Sequence, residues 1–239
     1  MARTEAADFS PRAPLGNADA AMRLLDQWVA KRGNGKYFPK DVKPQGAFEI
    51  APTYGVQQVR DEIEEFAREM VARKVNGTAI EIGLGYFGST HFLWRLLFRN
   101  VVTVEMSVER CRAFVDNFAD FSGGYSCGDD GRSKFIYGAS QTPSVVRKAY
   151  EAVSGKADML FIDGDHSYAG ILCDWLLYHK LIRKGGIVAF HDIATPHAHI
   201  SEVRDFVGEL ENGGFDGVSR PMKRIIHAEH TGIGFYVCE

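Results

Sequence analysis

The stretch AIEIGLGYFGST, residues 79–90, places three glycines directly behind a short apolar run. Gly83, Gly85 and Gly88 have the spacing of a tight turn that joins a strand to a helix, and glycine lets a ligand approach the backbone closely. Ser89 follows at the expected start of the helix, whose first N–H groups have no partner within the helix and face the turn. The pattern therefore predicts a strand–turn–helix unit that binds a ligand on its turn.

Two acids flank this turn and bear on the ligand. Glu105 ends the next apolar run, about 20 residues further on, where an acid can hold ribose hydroxyls. Glu81 stands two residues before Gly83, at a position where dehydrogenase turns usually have an apolar residue. An acid there could pair with a cofactor that has a charged amino-acid tail. The residues thus predict an adenosine cofactor, with a nicotinamide dinucleotide or a turn without a ligand as alternatives.

A regular alternation of apolar runs and helical patterns begins at residue 78. The strand candidates are unbroken apolar runs, as expected when both faces of a parallel sheet are covered by helices. The final stretch KRIIHAEHTGIGFYVCE contains two strand candidates, so an antiparallel strand is expected to close the sheet. We predict an N-terminal helical and irregular extension at 1–55, a domain at 56–239, and an irregular insertion at 120–133 within that domain.

Composition excludes several classes of partner. The 239 residues are 45% hydrophobic and have a formal net charge of −3, so no bulk basic field favours nucleic acid or an anionic membrane. No apolar run approaches the roughly 18 residues that span a bilayer, and the first residues lack a signal core. The four cysteines show no metal-binding spacing. A cytoplasmic protein with a small-molecule partner is expected, and a homo-oligomer is left open.

Two further strand ends carry dense polar clusters. They are FIDGDHSY at 161–168 and AFHDIA at 189–194. Ligands of open α/β sheets bind beyond the carboxyl ends of the strands, so both clusters are expected at the site of the glycine turn. Their acids and histidines are better suited to organising a reacting hydroxyl than to receiving a hydride. This favours a group-transfer enzyme over an oxidoreductase.

With these motifs in view, the chain resembles the class I S-adenosyl-L-methionine-dependent methyltransferases. The resemblance lies in EIGLGYFGST, VVTVEMS, MLFIDGDHSYAGILCDW and LIRKGGIVAFHD, and it covers about residues 54–238. More specifically, the chain resembles bacterial small-molecule O-methyltransferases whose fourth strand ends in IDGDH and whose fifth ends in HD or DD. Membership implies an α/β, Rossmann-like, doubly wound and mostly parallel seven-stranded sheet with helices on both faces. The implied strand order is 3-2-1-4-5-7-6, with strand 7 antiparallel.

The resemblance also implies positions for the cofactor. The three glycines would surround its methionine part, Glu81 would lie near its amino group, and Glu105 would hold the ribose. Ala139 and Ser140 would flank the adenine, although many relatives have Asp at one of these positions. The full set of predicted cofactor-binding residues is Glu81, Gly83, Gly85, Gly88, Ser89, Glu105, Ala139, Ser140 and Asp163.

Metal-dependent relatives imply a divalent ion as well. Asp163 matches the Asp that ends their fourth strand, and His191 with Asp192 matches the pair that ends the fifth. Neighbouring parallel strands lie about 4.8 Å apart, so these side chains can converge on one ion. Asp oxygens suit Mg²⁺, whereas the histidine favours Mn²⁺ or Fe²⁺. The alternative is that both Asp residues only form hydrogen bonds to the backbone and the cofactor.

The predicted function is methyl transfer from S-adenosyl-L-methionine to a hydroxyl of a small molecule, a sugar or a natural-product intermediate. Asp165 and His166 are the candidate catalytic bases, because an alcohol is a poor nucleophile while it is protonated. The alternatives are an NAD(P)-dependent oxidoreductase that uses the same turn and a non-catalytic module that binds the cofactor.

Overall fold

The computed structural model describes residues 14–31, 35–41, 56–127, 130–195, 201–229 and 231–239. Of the predicted N-terminal extension at 1–55, residues 1–13, 32–34 and 42–55 lie outside these ranges. The predicted boundary between 1–55 and 56–239 falls at the edge of a range that is not described.

The described residues contain seven strands, and all of them join one sheet in the order β3-β2-β1-β4-β5-β7-β6. β7 pairs antiparallel with both β5 and β6, while the other pairings are parallel. The predicted fold class and strand order are therefore confirmed. The strands are β1 (Thr78–Ile82), β2 (Asn100–Glu105), β3 (Ser133–Tyr137), β4 (Ala157–Ile162), β5 (Ile182–His191), β6 (Lys223–Ile225) and β7 (Ile233–Val237).

Helices cover both faces of the sheet. Within the described ranges they are α1 (Ala18–Lys31), α2 (Arg60–Ala72), α3 (Ser89–Leu97), α4 (Val108–Phe121), α5 (Pro143–Val153), α6 (Tyr168–Tyr178) and α7 (Val203–Glu211). Helices α1 to α4 pack on one face and α5 to α7 on the other, which gives two separate hydrophobic clusters. Within these described residues, no helix has the length and apolar character that a bilayer crossing requires.

Strand β4 shows why the strands read as unbroken apolar runs. Met159 and Phe161 are buried under the first group of helices, while Leu160 and Ile162 are buried under the second. Because successive side chains of a strand point to opposite faces, a strand covered on both sides needs an apolar residue at every position. The parallel sheet inferred from the sequence follows from this pattern.

The N-terminal helix belongs to the first of these two cores. Trp28 on α1 is fully buried and stacks on Phe92 of α3, with ring centroids 4.7 Å apart and planes 15° apart. Offset aromatic pairs of this kind add stabilisation beyond the area that they bury. The described part of the N-terminal segment thus packs against the sheet domain.

The insertion at 120–133 is anchored to α3 by a buried ion pair. Asp130 Oδ2 lies 2.5 Å from Arg95 Nη2, and both side chains are almost completely buried. The hydroxyl of Tyr125 donates to the same oxygen at 3.1 Å. Residues 128 and 129 lie outside the described ranges, but these contacts fix the insertion on either side of them.

Candidate active site

A cavity of about 860 Å³ runs along the carboxyl ends of the strands, from β3 to β5. This is the edge where ligands of open α/β sheets bind, so the cavity is the candidate active site. Most of its lining comes from the segments that follow β1 to β5, with contributions from the N-terminal segment and the start of β7. The predicted residues in the lining are Gly83, Gly85, Glu105, Ala139, Ser140, Asp163, Asp165, His166, His191 and Asp192.

The first glycine of the turn is required by its geometry. Gly83 has a φ of +92°, and a Cβ on it would lie 2.2 Å from the carbonyl oxygen of Asp163. Any other residue would therefore force apart the turns that follow β1 and β4. Gly83 also donates its N–H to the Val104 carbonyl at 2.9 Å, which fixes the turn against β2.

Two predicted cofactor residues lie behind this turn. A Cβ on Gly88 would meet the Phe114 ring at 2.5 Å, so that glycine allows α3 to approach α4. Ser89 begins α3, is buried, and does not line the main cavity. Gly88 and Ser89 instead line a small pocket that adjoins the main cavity at Gly85 and Asp163, and their assignment to the cofactor stays a prediction.

Glu105 lies at the end of β2 with its carboxylate at the cavity wall. Its Oε2 accepts the N–H of Leu84 at 2.8 Å and its Oε1 accepts the N–H of Ser107 at 2.8 Å. The side chain is largely buried and fixed at both oxygens, and it lines the cavity beside the glycine turn. Its assignment to the cofactor ribose stays a prediction.

Glu81 does not line the cavity, and its assignment to the cofactor amino group stays a prediction. The carboxylate is completely buried and accepts hydrogen bonds from Trp94 Nε1 at 3.1 Å and Thr103 Oγ1 at 2.7 Å. The reason is strand alternation: Ile80 and Ile82 face the second helical layer, so Glu81 faces α3 on the opposite side. Its oxygens are already occupied there.

The loop after β3 forms the far end of the cavity. Gly138 donates its N–H to the Glu105 carbonyl at 3.0 Å, and the lining there includes Ala139, Ser140 and Gln141. The structure places the predicted residues Ala139 and Ser140 at the cavity. Gln141 was not predicted, although it stands next to them in the sequence.

The three predicted metal ligands come together at the ends of β4 and β5. Nδ1 of His191 lies 3.2 Å from Asp163 Oδ1 and 3.3 Å from Asp192 Oδ1. One ligand atom from each residue lies within 4.8 Å of the others. Asp192 has a φ of +60°, a left-handed conformation that a short polar residue adopts more readily than most and that often marks functional sites.

His166 joins this cluster, whereas Asp165 does not. Nε2 of His166 lies 3.4 Å from Asp163 Oδ1, and its Nδ1 lies 3.5 Å from Asp192 Oδ2. Asp165 lines the same cavity, but its Oδ1 accepts the N–H of Ser167 at 2.9 Å, where α6 begins. Of the two predicted bases, the geometry puts His166 in contact with the acidic pair.

The electrostatics of the cluster draw positive charge to it. Burial alone would lower the pKa of His191, but the carboxylates of Asp192 and Asp163 raise that pKa well above its ordinary value. Burial also acts to lower the pKa of His166, but the carboxylates of Asp163 and Asp192 raise this pKa above its ordinary value. The pKa of Asp163 is lowered, because the attraction of the two histidines outweighs the effect of its burial. Two carboxylates at one end of the cavity thus stabilise cations beside them.

The donor set fits a divalent metal ion. Carboxylate oxygens and an imidazole nitrogen are the ligands that Mn²⁺ and Fe²⁺ accept, and the surplus of negative charge suits a doubly charged ion. Nε2 of His191 is buried without a hydrogen-bond partner among the described residues, so the contacts of this ring in the cluster run through Nδ1. Asp163 is further held by Gln58, whose Nε2 donates to its Oδ2 at 2.9 Å.

Sequence reasoning missed a buried carboxylate that fixes another part of the cavity wall. Glu62 on α2 is completely buried and accepts four hydrogen bonds from the segment between β6 and β7. The donors are His227 N at 2.7 Å, Ala228 N at 3.1 Å, Thr231 Oγ1 at 2.8 Å and Gly232 N at 3.1 Å. Thr231 lines the cavity. The available signal was an acid on the apolar face of α2, between Val59 and Phe66.

Comparison with known proteins supports the fold and the domain type. Residues 80–193 match a family model described as a methyltransferase domain. This match spans β1 to β5 and includes the glycine turn, Glu105 and the acidic cluster. A shorter match, 51% identical over 35 residues, is to the uncharacterized protein R132 of Acanthamoeba polyphaga mimivirus and covers 15% of this chain and 16% of that protein.

Several solved structures share the architecture at low sequence identity. An O-methyltransferase from Bacillus cereus, solved with S-adenosylhomocysteine, is 18% identical, with 92% of this chain and 91% of that one covered and a TM-score of 0.53. TomG from Streptomyces achromogenes, an O-methyltransferase of tomaymycin synthesis solved with S-adenosylmethionine, is 17% identical, with 90% and 89% covered and a TM-score of 0.55.

A third structure carries a metal ion. MycE of the mycinamycin biosynthetic pathway, solved with Mg, S-adenosylhomocysteine and mycinamycin VI, is 13% identical and has a TM-score of 0.52. The match covers 83% of this chain but only 55% of MycE. At these identities the likeness shows a common fold.

Residues 80–193 match a methyltransferase domain, and the sheet has the strand order that the resemblance to class I methyltransferases implies. The resemblance inferred from the sequence is confirmed at that level.

Proposed function

We propose that this protein transfers the methyl group of S-adenosyl-L-methionine to a hydroxyl of a polar small molecule, with the assistance of a divalent metal ion. One observation carries the proposal. The cluster of Asp163, His166, His191 and Asp192 shares a single cavity with the glycine turn and Glu105. A cofactor half and a reaction half of one site therefore lie side by side along the sheet edge.

The cofactor half runs from β1 to β3. Gly83 and Gly85 line the cavity and would lie beside the methionine part, and Glu105 offers a fixed carboxylate that would hold the ribose hydroxyls. The segment Ala139–Gln141 would flank the adenine. The acidic cluster lies at the other end of the same cavity, where it would face the acceptor.

Methyl transfer from a sulfonium needs alignment and deprotonation more than activation of the donor. The C–S bond breaks as the acceptor oxygen forms a C–O bond, and sulfur keeps the electron pair as S-adenosylhomocysteine. A divalent ion held by Asp163, His191 and Asp192 would supply Lewis acidity, which lowers the pKa of an acceptor hydroxyl. His166 lies beside both carboxylates and is the candidate base in its neutral form, which the positive charge of a bound ion would favour. Asp165 is the second candidate base.

The reaction half also indicates the class of acceptor. Its remaining lining includes hydroxyl and carboxylate side chains, among them Thr195, Ser201, Glu202 and Thr231. Such groups can pair with an acceptor that has several hydroxyls, which supports a sugar or a glycosylated natural product. The MycE structure contains mycinamycin VI together with Mg and S-adenosylhomocysteine.

The test is transfer of a radiolabelled methyl group to a panel of sugars, glycosides and phenols. Transfer is expected to stop after exhaustive chelation and to return when Mg²⁺ or Mn²⁺ is added. Asp192→Asn should abolish transfer while leaving S-adenosylhomocysteine binding largely intact. Asp216→Asn is the matched control, because it removes a carboxylate whose ion pair with Arg220 lies outside the cavity lining. Full activity of the chelated enzyme would contradict the metal-assisted mechanism.

A further inference from the structure

A buried carboxylate lies behind the loop assigned to adenine and takes no part in the reaction above. Asp174 on α6 is completely buried, and its Oδ1 accepts a hydrogen bond from Gln141 Nε2 at 3.0 Å. Its Oδ2 is buried too and has no hydrogen-bond partner within the described ranges. A carboxylate is costly to bury unless its oxygens are paired. The polar partners of this acid are therefore Gln141 and Ser140, both from the loop after β3.

The position of Asp174 ties it to the cavity wall. A Cβ built on Gly164, which lines the cavity, would lie 3.7 Å from Asp174 Oδ2. One helical turn further on, the hydroxyl of Tyr178 donates to the Ser140 carbonyl at 2.7 Å. One face of α6 thus holds the loop after β3 at two points.

The contact with Asp174 decides which end of the Gln141 amide is left for the cavity. An ionised carboxylate only accepts hydrogen bonds, so the amide must turn its NH₂ group toward it. Burial raises the pKa of Asp174 to about 6, although hydrogen bonds from Ser140 and Gln141 act against this shift, so the group is ionised at pH 7.5. Gln141 lines the cavity, and with its Nε2 on Asp174 the amide atom left for a ligand is the carbonyl oxygen Oε1.

A carbonyl oxygen at this place would discriminate between purines. The 6-amino group of adenine donates hydrogen bonds and pairs with such an oxygen. A 6-oxo group presents a second acceptor, and two acceptors that face each other in a partly buried site leave both without a donor.

We propose that Asp174 is a positioning residue that orients Gln141 so that the site takes a 6-aminopurine cofactor and rejects a 6-oxopurine. The inference rests on the proposed function, because it takes S-adenosyl-L-methionine as the cofactor. Asp174 acts through Gln141 and does not touch the cofactor itself.

The experiment compares two nucleosides that differ at one position. Calorimetric titration at pH 7.5 measures the Kd of S-adenosylhomocysteine and of S-inosylhomocysteine, in which oxygen replaces the 6-amino group. The wild-type chain should prefer the adenosyl compound by at least about tenfold, the scale of one hydrogen bond made or left unmade. Asp174→Asn should reduce this preference to about threefold or less, because an asparagine amide can pair with Gln141 in either orientation.

Two further variants separate orientation from general loosening of the loop. Gln141→Leu removes the amide and should reduce the preference as far as Asp174→Asn does. If Asp174→Asn does not fold, the purine preference of Gln141→Leu alone tests the proposal. Tyr178→Phe is the matched control: it removes the contact of the same helix with Ser140 and should keep the wild-type preference.

Unchanged preference in Gln141→Leu and in any folded Asp174→Asn variant would overturn the proposal. An equal loss in Tyr178→Phe would also overturn it, since the effect would then come from the loop as a whole. Failure of the wild-type chain to bind S-adenosylhomocysteine would instead contradict the proposed function. That result is distinct from tight binding with unchanged selectivity.

Discussion

Glu62→Gln should destabilise the protein severely, although it changes one buried atom from oxygen to nitrogen. The carboxylate accepts two hydrogen bonds at each oxygen, three from backbone N–H groups and one from the Thr231 hydroxyl. In the glutamine variant the NH₂ group faces two backbone N–H groups in one amide orientation, and the Gly232 N–H with the Thr231 hydroxyl in the other, where the hydroxyl can rotate to accept. The variant therefore leaves at least one buried N–H unpaired, and the remaining hydrogen bonds lose their charged acceptor.

Each hydrogen bond to a charged group contributes about 1.5–3 kcal/mol, so we expect a loss of roughly 3–5 kcal/mol in the free energy of unfolding. For a chain of this length that corresponds to a decrease in Tm of roughly 6–20 °C. Urea unfolding followed by tryptophan fluorescence and far-UV circular dichroism measures the loss.

Glu65→Gln is the matched control for this experiment. Glu65 lies on the same helix, but its side chain is 42% exposed and pairs with His227 Nε2 at 3.1 Å. Exposed pairs of this kind contribute less than about 1 kcal/mol. Similar losses in the two variants, or a Glu62→Gln variant as stable as the wild type, would refute the role assigned to the four hydrogen bonds.

Three other results are expected. The pKa of Asp174 is about 6 in the fold and about 3.9 in an unfolded chain, so between these pH values the native state binds more protons than the unfolded state. The free energy of unfolding of the wild type should therefore fall with rising pH relative to that of Asp174→Asn. In urea unfolding, the free energy of unfolding of Asp174→Asn relative to that of the wild type should rise by about 1 kcal/mol between pH 5 and pH 8. A relative stability that does not change with pH would contradict the burial argument. Gly83→Ala should cost at least about 2 kcal/mol and weaken S-adenosylhomocysteine binding, since its Cβ meets the Asp163 carbonyl at 2.2 Å; unaltered thermal stability would contradict this. In steady-state assays, His166→Asn should lower kcat far more than Asp165→Asn, and the opposite ranking would assign the proton to Asp165.

The sheet could be predicted because its signal is local and repeated. In β4, every position from Met159 to Ile162 is apolar because both faces are covered, and β1, β2 and β5 contain similar buried apolar stretches. The site could be located at the strand ends for a related reason: parallel strands bring their carboxyl ends to one edge, and Asp163 and His191 end neighbouring strands. Their convergence follows from topology without any knowledge of side-chain conformations.

The remaining site residues depend on contacts that sequence spacing does not encode. Glu81 stands beside the glycine turn in sequence, yet strand alternation turns it to the opposite face of the sheet. Glu62 finds its partners more than 160 residues away, in the segment between β6 and β7. The pairing of Asp174 with Gln141 spans 33 positions and depends on how α6 packs against the loop after β3. Such pairings are set by tertiary packing.

The cavity is expected to bind S-adenosyl-L-methionine beside the acidic cluster. Calorimetric titration of the wild-type chain with S-adenosylhomocysteine and with NAD⁺ tests it most directly, with Glu105→Gln as the site variant. We predict saturable binding of S-adenosylhomocysteine, no binding of NAD⁺, and affinity at least about tenfold weaker in Glu105→Gln, the effect of one hydrogen bond to a charged group. Binding of NAD⁺ without binding of S-adenosylhomocysteine would contradict the account and favour an oxidoreductase that uses the same glycine turn.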